Sequence, residues 1–348
     1  MIFFDNIIFS LQHAGGISAV WKELLRNLSM DCEFACFEYD NANSNLFRRQ
    51  LSIPKHKLLR LNHFSKVFSQ FQKVKVKFDK PFIFHSSYFR LCSNKNAKNV
   101  TTVHDFIYEQ GRMNLRQHLR VKMNYNAIRK SDAIVCVSEN TRRDLIELLP
   151  DIDISKVHVI YNGVSEDYFQ ITQAPYPKYR DSILYVGGRQ EYKNFDFVVK
   201  SLEATDLNLL ICGSPLSCKE KQTLDLYLPE RYEVIEFPSN EELNRIYNSV
   251  YCLAYPSSYE GFGIPVLEAQ RAGCPVVAFN ASSIPEIIGE EALLMESLIP
   301  ENFIDLLNCL KNKATRERIV AAGLKNSARF SWKRMTDEYL SLYKSLIK

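Results

Sequence analysis

The sequence predicts an α/β protein made of two Rossmann-like halves. Apolar runs of strand length alternate with segments of helical period along the whole 348-residue chain, the pattern of parallel βαβ units covered by helices. A chain of this length exceeds one ordinary core and fits two domains of about 150 to 200 residues. Its strand-like runs close on polar residues, and the carboxyl edge of a parallel sheet is where ligands bind.

In chain order, residues 2–10 read as the first strand, followed by a loop carrying Gly15 and Gly16 and a helix from about 17 to 28. Residues 82–85, 100–105 and 133–138 are later strands of the first half, Ser138 caps a helix over 141–149, and 157–164 closes the half. Residues 165–179, with Pro175 and Pro177, read as a linker. The second half begins at strand 182–188 and continues through strands 207–212, 232–237, 251–255 and 275–279. Residues 332–348, with Tyr339, Leu340, Leu342, Tyr343 and Leu346 apolar, form an amphipathic helix. The expected domains are therefore 1–165 and 166–331, facing across a cleft, with helix 332–348 packing back on the first.

The most informative stretch is Tyr259-Glu260-Gly261-Phe262-Gly263-Ile264-Pro265-Val266-Leu267-Glu268-Ala269, which sets two carboxylates eight residues apart around a glycine-rich turn. Pro265, with fixed φ and no N–H, suits a first helical turn, and Val266, Leu267, Ala269 and Ala272 recur behind it at helical intervals. Glu260 then lies in the turn and Glu268 in the first or second turn of the helix. Gly261 and Gly263 let backbone approach a ligand closely, and the free N–H groups of the helix end attract phosphate. A second cluster follows strand 182–188: Arg189 and Lys193, four residues apart after Gly187-Gly188, both reach toward one anion. His104 and Asp105 end a strand of the first half, a pairing that serves as a structural hydrogen bond or as a site.

Composition excludes several classes. With 46% hydrophobic and 24% charged residues, the chain is of soluble globular type. Its nine cysteines form no spaced framework and fall in apolar runs, so they read as buried thiols of a reducing compartment, and no zinc site is expected. Asp151-Ile152-Asp153 spells a metal-binding D-x-D pattern but sits in a loop after Pro150, so no metal is expected there either. No apolar run reaches the roughly 20 residues of a membrane span, and residues 1–6 lack a basic leader, which points to the cytoplasm. No G-x-G-x-x-G follows the first strand, against a dinucleotide dehydrogenase.

The net charge of +4 hides an asymmetry: residues 1–165 hold 24 Lys and Arg against 15 Asp and Glu. Residues 48–80 carry ten basic and one acidic residue, and 111–130 carry six basic and none acidic. Such a surface favours polyanions. Nucleic acid is not expected, because no zinc-finger or RNP-like signature accompanies the charge. Residues 64–78 interleave aromatic and basic side chains, as does a helix lying on an anionic membrane, or a half-buried helix or strand with a solvated basic face.

Six segments in order, Gly15-Gly16-Ile17-Ser18, Thr102-Val103-His104-Asp105-Phe106, Ser138-Glu139-Asn140-Thr141, Tyr161-Asn162-Gly163-Val164, Val186-Gly187-Gly188-Arg189 with Lys193-Asn194, and Glu260 to Glu268, give the chain its likeness to a known family. It resembles the family 4 glycosyltransferases of GT-B architecture, and among them the bacterial mannosyl- and rhamnosyl-type enzymes of surface-polysaccharide (O-antigen, lipopolysaccharide, capsule) assembly. The resemblance implies retaining, metal-independent transfer of a hexose from a nucleotide diphosphate sugar, GDP-mannose ranking before dTDP-rhamnose and UDP-hexoses, with no cofactor. It places Glu260 against the donor sugar, Glu268 on the ribose hydroxyls, and Arg189, Lys193, Asn194, Gly261, Phe262, Gly263 and Ile264 around the sugar and diphosphate. In the first half it places His104 beside the donor sugar, Asp105 orienting it or an acceptor hydroxyl, and Gly15 and Gly16 by the phosphate or acceptor. It implies a polyprenyl-diphosphate-linked acceptor and a peripheral position on the inner face of the cytoplasmic membrane. Two rivals remain: a GT-B synthase or phosphorylase acting on a soluble glucan or sugar, and a non-catalytic sugar-nucleotide-binding protein.

Overall fold

The structure, a computed structural model, describes the chain apart from residues 29–31, 63–64, 66–67, 112 and 348 and the side chains of 110 and 116. It divides into two compact units, Met1–Gly163 with Trp332–Lys348, and Val164–Ser331.

Among the described residues, the first unit holds seven parallel strands, β1 (Ile2–Asp5), β2 (Phe34–Tyr39), β3 (Leu58–Leu61), β4 (Phe82–Ser86), β5 (Ala97–Val103), β6 (Ala133–Cys136) and β7 (Val157–Val159). Their order is β3-β2-β1-β4-β5-β6-β7. Helices α1 (Ile8–Leu11), α2 (Gly16–Arg26), α3 (Leu115–Arg129) and α4 (Glu139–Leu148) connect them, and Ser138 caps α4 by accepting from Thr141 N–H. The second unit holds β8 (Ser182–Val186), β9 (Asn208–Gly213), β10 (Tyr232–Glu236), β11 (Cys252–Tyr255), β12 (Val276–Phe279) and β13 (Leu293–Met295), ordered β10-β9-β8-β11-β12-β13 and again parallel. Its helices are α5 (Phe195–Leu202), α6 (Cys218–Tyr227), α7 (Asn240–Tyr247), α8 (Ile264–Arg271), α9 (Ile284–Ile288), α10 (Pro300–Cys309) and α11 (Lys313–Ser327). Helix α12 (Trp332–Ile347) returns to the first unit. In each sheet the strand order reverses once, between β1 and β4 and between β8 and β11. A ligand binds such a sheet beyond its carboxyl ends at that reversal.

The apolar run 2–10 is not one strand. It stops at Asp5 and re-enters as α1, because Asn6 accepts from Trp21 Nε1 at 2.8 Å and donates to Glu38 at 2.7 Å, while Ser87 Oγ takes the N–H of Ile8. Residues 165–179 are strapped onto α7: the N–H groups of Phe169, Ile171 and Tyr176 donate to Asn244, Asn248 and Ser249. Helix α12 is tied by a buried chain in which His85 contacts Tyr343 OH through Nδ1 and Thr102 Oγ1 through Nε2, and Thr102 also meets Tyr339 OH.

Two readings need correction. Six cysteines are buried, but Cys218 at the start of α6 and Cys309 at the end of α10 are exposed, and Cys32, ahead of β2, is only partly covered. Of the segment 64–78, residues 64, 66 and 67 lie outside the described residues. The part from 73 to 78 is extended, not helical, with Val74 and Val76 buried in the core beside Phe78 and Lys73, Lys75 and Lys77 exposed. A period of two puts every second side chain on the same face, so the lysines are the solvated side of a half-buried extended segment, bridged to Cys92 at Val74.

Candidate functional site

In the second unit, the residues that follow β8 and β11 meet across the strand reversal. The turn after β8 needs glycine: Gly187 has φ 108°, and a Cβ on Gly213, at the end of neighbouring β9, would lie 2.7 Å from the Gly187 carbonyl oxygen. The chain then makes a 3₁₀ turn over Glu191–Lys193, and Asn194, at φ 51°, starts α5. The Asn194 amide donates to Pro256 O at 2.8 Å and to Ser258 Oγ at 2.7 Å, and Ser258 N–H returns a bond to Tyr192 O. Two loops distant in sequence are thereby laced into one surface.

On that surface Lys193 Nζ lies 2.6 Å from Glu260 Oε1. Glu260 is fixed from behind by its own backbone: its N–H donates to Ser282 Oγ at 2.8 Å, and Ser283 Oγ donates to its carbonyl at 2.8 Å and to that of Phe262 at 3.2 Å. Tyr255 at the end of β11 also bonds Glu260; burial first, then this carboxylate, pushes the Tyr255 phenol well above its ordinary range. Gly263, at φ 99°, has Ile284 Cδ1 2.8 Å from where a Cβ would stand, so glycine is required to turn the chain into α8. Phe262 is buried edge-on against Phe330, and Gly261 and Ile264 complete the turn at the N-terminus of α8.

Glu268, on the second turn of α8, reaches the hydroxyls of Tyr168 and Tyr247, the latter donating to Oε2 at 3.3 Å. Burial pushes its carboxyl up to about 7, which the two tyrosine bonds only partly offset. Arg189 is held elsewhere. Its Nε donates to Glu220 Oε1 at 2.6 Å and its Nη2 to the Ser214 and Pro215 carbonyls, while buried Nη1 has no protein acceptor. Burial alone would raise Glu220, but Arg189 and Ser217 hold it below the usual carboxylate range. The two cations expected to share one anion thus hold different carboxylates in the free protein, Lys193 with Glu260 and Arg189 with Glu220. Sequence reading missed Gly213, Glu220, Ser282, Ser283 and the two tyrosines on Glu268; of these only Glu220 carries a local signal, the Ser217–Glu220 capping box of α6.

The first unit carries its own cavity of about 280 Å³ at the carboxyl edge. Ile8, Ser87, Tyr88 and His104 line it from the ends of β1, β4 and β5, and Arg120, Asn124, Tyr125 and Ile128 from α3. Burial keeps His104 uncharged, its imidazole lowered to about 4. Asp105 lines the same cavity and accepts from Ile107 N–H at 3.2 Å. Gly15 and Gly16 form the start of α2, between the cavity-lining Gln12 and Ile17; Gly15 is extended, and a Cβ there would meet the Gln12 amide. The D-x-D carboxylates are otherwise engaged, Asp151 in a two-point pair with Arg129 and Asp153 capping the turn at Ser155.

Two doubly wound parallel units, one gathering acidic and basic groups at its strand reversal, define the GT-B class of glycosyltransferases. The family models for "Glycosyl transferases group 1" and "Glycosyltransferase Family 4" match residues 169–344 and 14–168. The chain belongs to this glycosyltransferase family and is an enzyme of that kind. It is 25% identical over 296 residues to O-antigen chain mannosyltransferase B of Escherichia coli, covering 77% of this chain and 75% of that one. It is 30% identical over 159 residues to O-antigen chain mannosyltransferase RfbU of Salmonella typhimurium, 44% of each chain. Among solved structures, Anabaena Alr3699/HepE in complex with UDP-glucose superposes with a TM-score of 0.76 at 13% identity over 99% of both chains. A glycosyltransferase from Rickettsia africae gives 0.70 at 18% identity over 100% of this chain and 98% of that one.

Proposed function

We propose that this glycosyltransferase moves a hexose, mannose from GDP-mannose before other donors, with retention and without a metal, onto a polyprenyl-diphosphate-linked oligosaccharide in O-antigen or capsule-type synthesis. The observation that carries the reading is the Lys193–Glu260 pair across the β8–β11 reversal, 2.6 Å apart at the N-terminal turn of α8. Cleavage of the donor's glycosidic bond leaves charge on the diphosphate, and a fixed cation beside a helix N-terminus lowers that barrier. Lys193 exchanges Glu260 for phosphate when donor binds, which frees Glu260 to face the sugar and support an oxocarbenium-like centre. Glu268 takes the ribose hydroxyls as a charge-assisted acceptor. Arg189 joins the phosphate if Glu220 releases it; otherwise it holds the glycine turn in shape.

The named activities of the mannosyltransferase relatives support the donor, and the UDP-glucose bound to the Anabaena protein supports a nucleotide sugar in general. His104 stands beside the donor sugar and Asp105 orients it or an acceptor hydroxyl, while the rest of the first unit's cavity receives the acceptor and Gly15 and Gly16 lie by the phosphate or acceptor. Among the described residues no helix is long and apolar enough to cross a membrane, so the lipid-linked acceptor is met from the membrane surface, on the inner face of the cytoplasmic membrane. A thermal-shift panel of GDP-mannose, dTDP-rhamnose and UDP-hexoses tests the donor, since a ligand binding only the folded state raises the melting temperature. A panel with no shift overturns the reading; turnover that stops in EDTA overturns its metal independence.

A further inference from the structure

Helix α3 has two apolar faces, and only one of them has a partner. Val121, Ala127 and Ile128 are buried on the sheet side, and Arg120, Asn124, Tyr125 and Ile128 line the first unit's cavity. On the opposite side Leu115, Leu119 and Met123 stand at successive four-residue intervals with 76%, 56% and 38% of their surface exposed. That spacing makes one continuous ridge on an α-helix. Exposed Lys122 and His118 lie beside the ridge, and residues 111–130 contain no acidic side chain. Phe68, 67% exposed, lies two residues from Gln70, which lines the same cavity.

We propose that the outer face of α3 docks on an anionic membrane surface, seating Leu115, Leu119 and Met123 among the lipid acyl chains while Lys122 meets the headgroups. The proposal rests on the lipid-linked acceptor argued above, and it moves membrane contact from residues 64–78 to α3. Charge decides the occupant: an apolar ridge bordered by Lys122, on a stretch with six basic and no acidic residues from 111 to 130, matches phospholipid headgroups over acyl chains, the arrangement of an interfacial helix. Position supplies the function. The same helix that carries the ridge walls the cavity, so a headgroup-borne acceptor enters the first unit without its lipid chain leaving the bilayer.

The test uses the purified full chain with phosphatidylcholine vesicles, with and without 30 mol% phosphatidylglycerol as a probe composition. Wild-type protein is expected to co-sediment with the anionic vesicles at low salt and to release as salt rises. Leu119→Asp is expected to lower partitioning by about tenfold or more, and Lys122→Glu by about fivefold. Both keep the wild-type melting temperature and the nucleotide-induced shift, which separates this proposal from the donor reading. Leu119→Trp puts an indole on the ridge, and its emission is expected to shift to the blue on anionic vesicles. Wild-type protein that ignores those vesicles, a Leu119→Asp variant that binds as wild type, or a Leu119→Trp variant whose emission does not move on binding overturns the proposal. So does dimerisation that Leu119→Asp abolishes without any vesicle binding, which would assign the ridge to a second copy.

Discussion

The two units share a sheet plan but finish their carboxyl edges differently. In the second unit the edge is charged and locally strained: Lys193 pairs with Glu260 and Arg189 with Glu220, and Asn194, Phe237 and Ser282, in the segments after β8, β10 and β12, have positive φ, as do Glu230 and Glu291 ahead of β10 and β13. In the first unit none of the described non-glycine residues has positive φ, and the edge is a cavity in which Asp105, Glu109 and Arg120 stand among aromatic and uncharged groups, with His104 held neutral by burial. Strain and paired charge collect where a site must hold fixed geometry against a charged ligand. A cavity that mixes aromatic faces with polar side chains of both signs offers hydrogen bonds and stacking to a hydroxyl-rich ligand. The contrast fits the proposed division, with the nucleotide sugar on the second sheet and the acceptor on the first.

The largest expected effect comes from neutralising the charged edge. Glu260→Gln keeps shape but removes the negative charge, so turnover is expected to fall by roughly 10²–10³ while the nucleoside diphosphate Kd stays within a factor of about three. Equal losses in both would make Glu260 a binding group, and the division of roles on that sheet would fail.

Acid sharpens the contrast next. His85 in the first unit is fully buried and lowered to about 3, chiefly by burial and then by His104. Its folded pKa lies below the unfolded value of about 6.5, so the unfolded chain takes up a proton that the native one refuses, and stability falls as pH drops through that window, by on the order of 4 kcal/mol in all. Glu268 in the second unit runs the other way. Its folded carboxyl, at about 7, keeps a proton that the unfolded chain loses near 4.5, so stability falls as pH rises between those values, by roughly 3 kcal/mol. Segment-resolved hydrogen exchange at pH 5 and pH 8 should show the first unit better protected at pH 8 and the second at pH 5. Glu268→Gln should flatten only the second trend; a flat wild-type profile in both would remove this distinction between the units.

Nucleotide affinity follows from the same carboxylate. Glu268→Ala is expected to weaken nucleoside diphosphate binding by about 2 kcal/mol, the loss of hydrogen bonds to a charged group. Wild-type affinity should strengthen from pH 6 to pH 8 as the carboxylate ionises, whereas Glu268→Gln should show no slope. Titration calorimetry at three pH values checks both, and a pH-independent wild type would take Glu268 off the ribose.

Much of the fold and site is legible in the sequence because it lies in local pattern. Most strands of both halves, the cap at Ser138 and the turn from Glu260 to Glu268 are written in runs of about ten residues or fewer. What stays hidden depends on distant partners. Strands β2, β3 and β13 escape the element reading: β3 and β13 are short, only four and three residues, and β2 mixes Glu38 into its apolar run. The lysine–glutamate pair spans 67 positions, and the tyrosines that bond Glu268 come from 100 residues upstream and 21 upstream. Residues 73–78 show the converse: alternation is present in the sequence, but lysines set among aromatic residues also fit a helix on a membrane, and only the core partners of Val74 and Val76 decide for extended chain.

The smallest effect tests whether strain at the charged edge is functional. Phe237 follows β10 at φ 47°, with its N–H on Gly213 O at 3.0 Å and 69% of its surface exposed. A left-handed non-glycine residue costs about 1 kcal/mol or more, and an aromatic side chain this exposed gains little from packing in return. Phe237→Gly should therefore raise the melting temperature by about 2–4 °C, as glycine adopts that backbone without penalty. If the ring is kept for its exposed face, the same variant should bind nucleotide more weakly despite being more stable. A variant less stable than wild type would show that Phe237 is held by packing, and Asn194 and Ser282 would then stand as the remaining signs of stored strain on that edge.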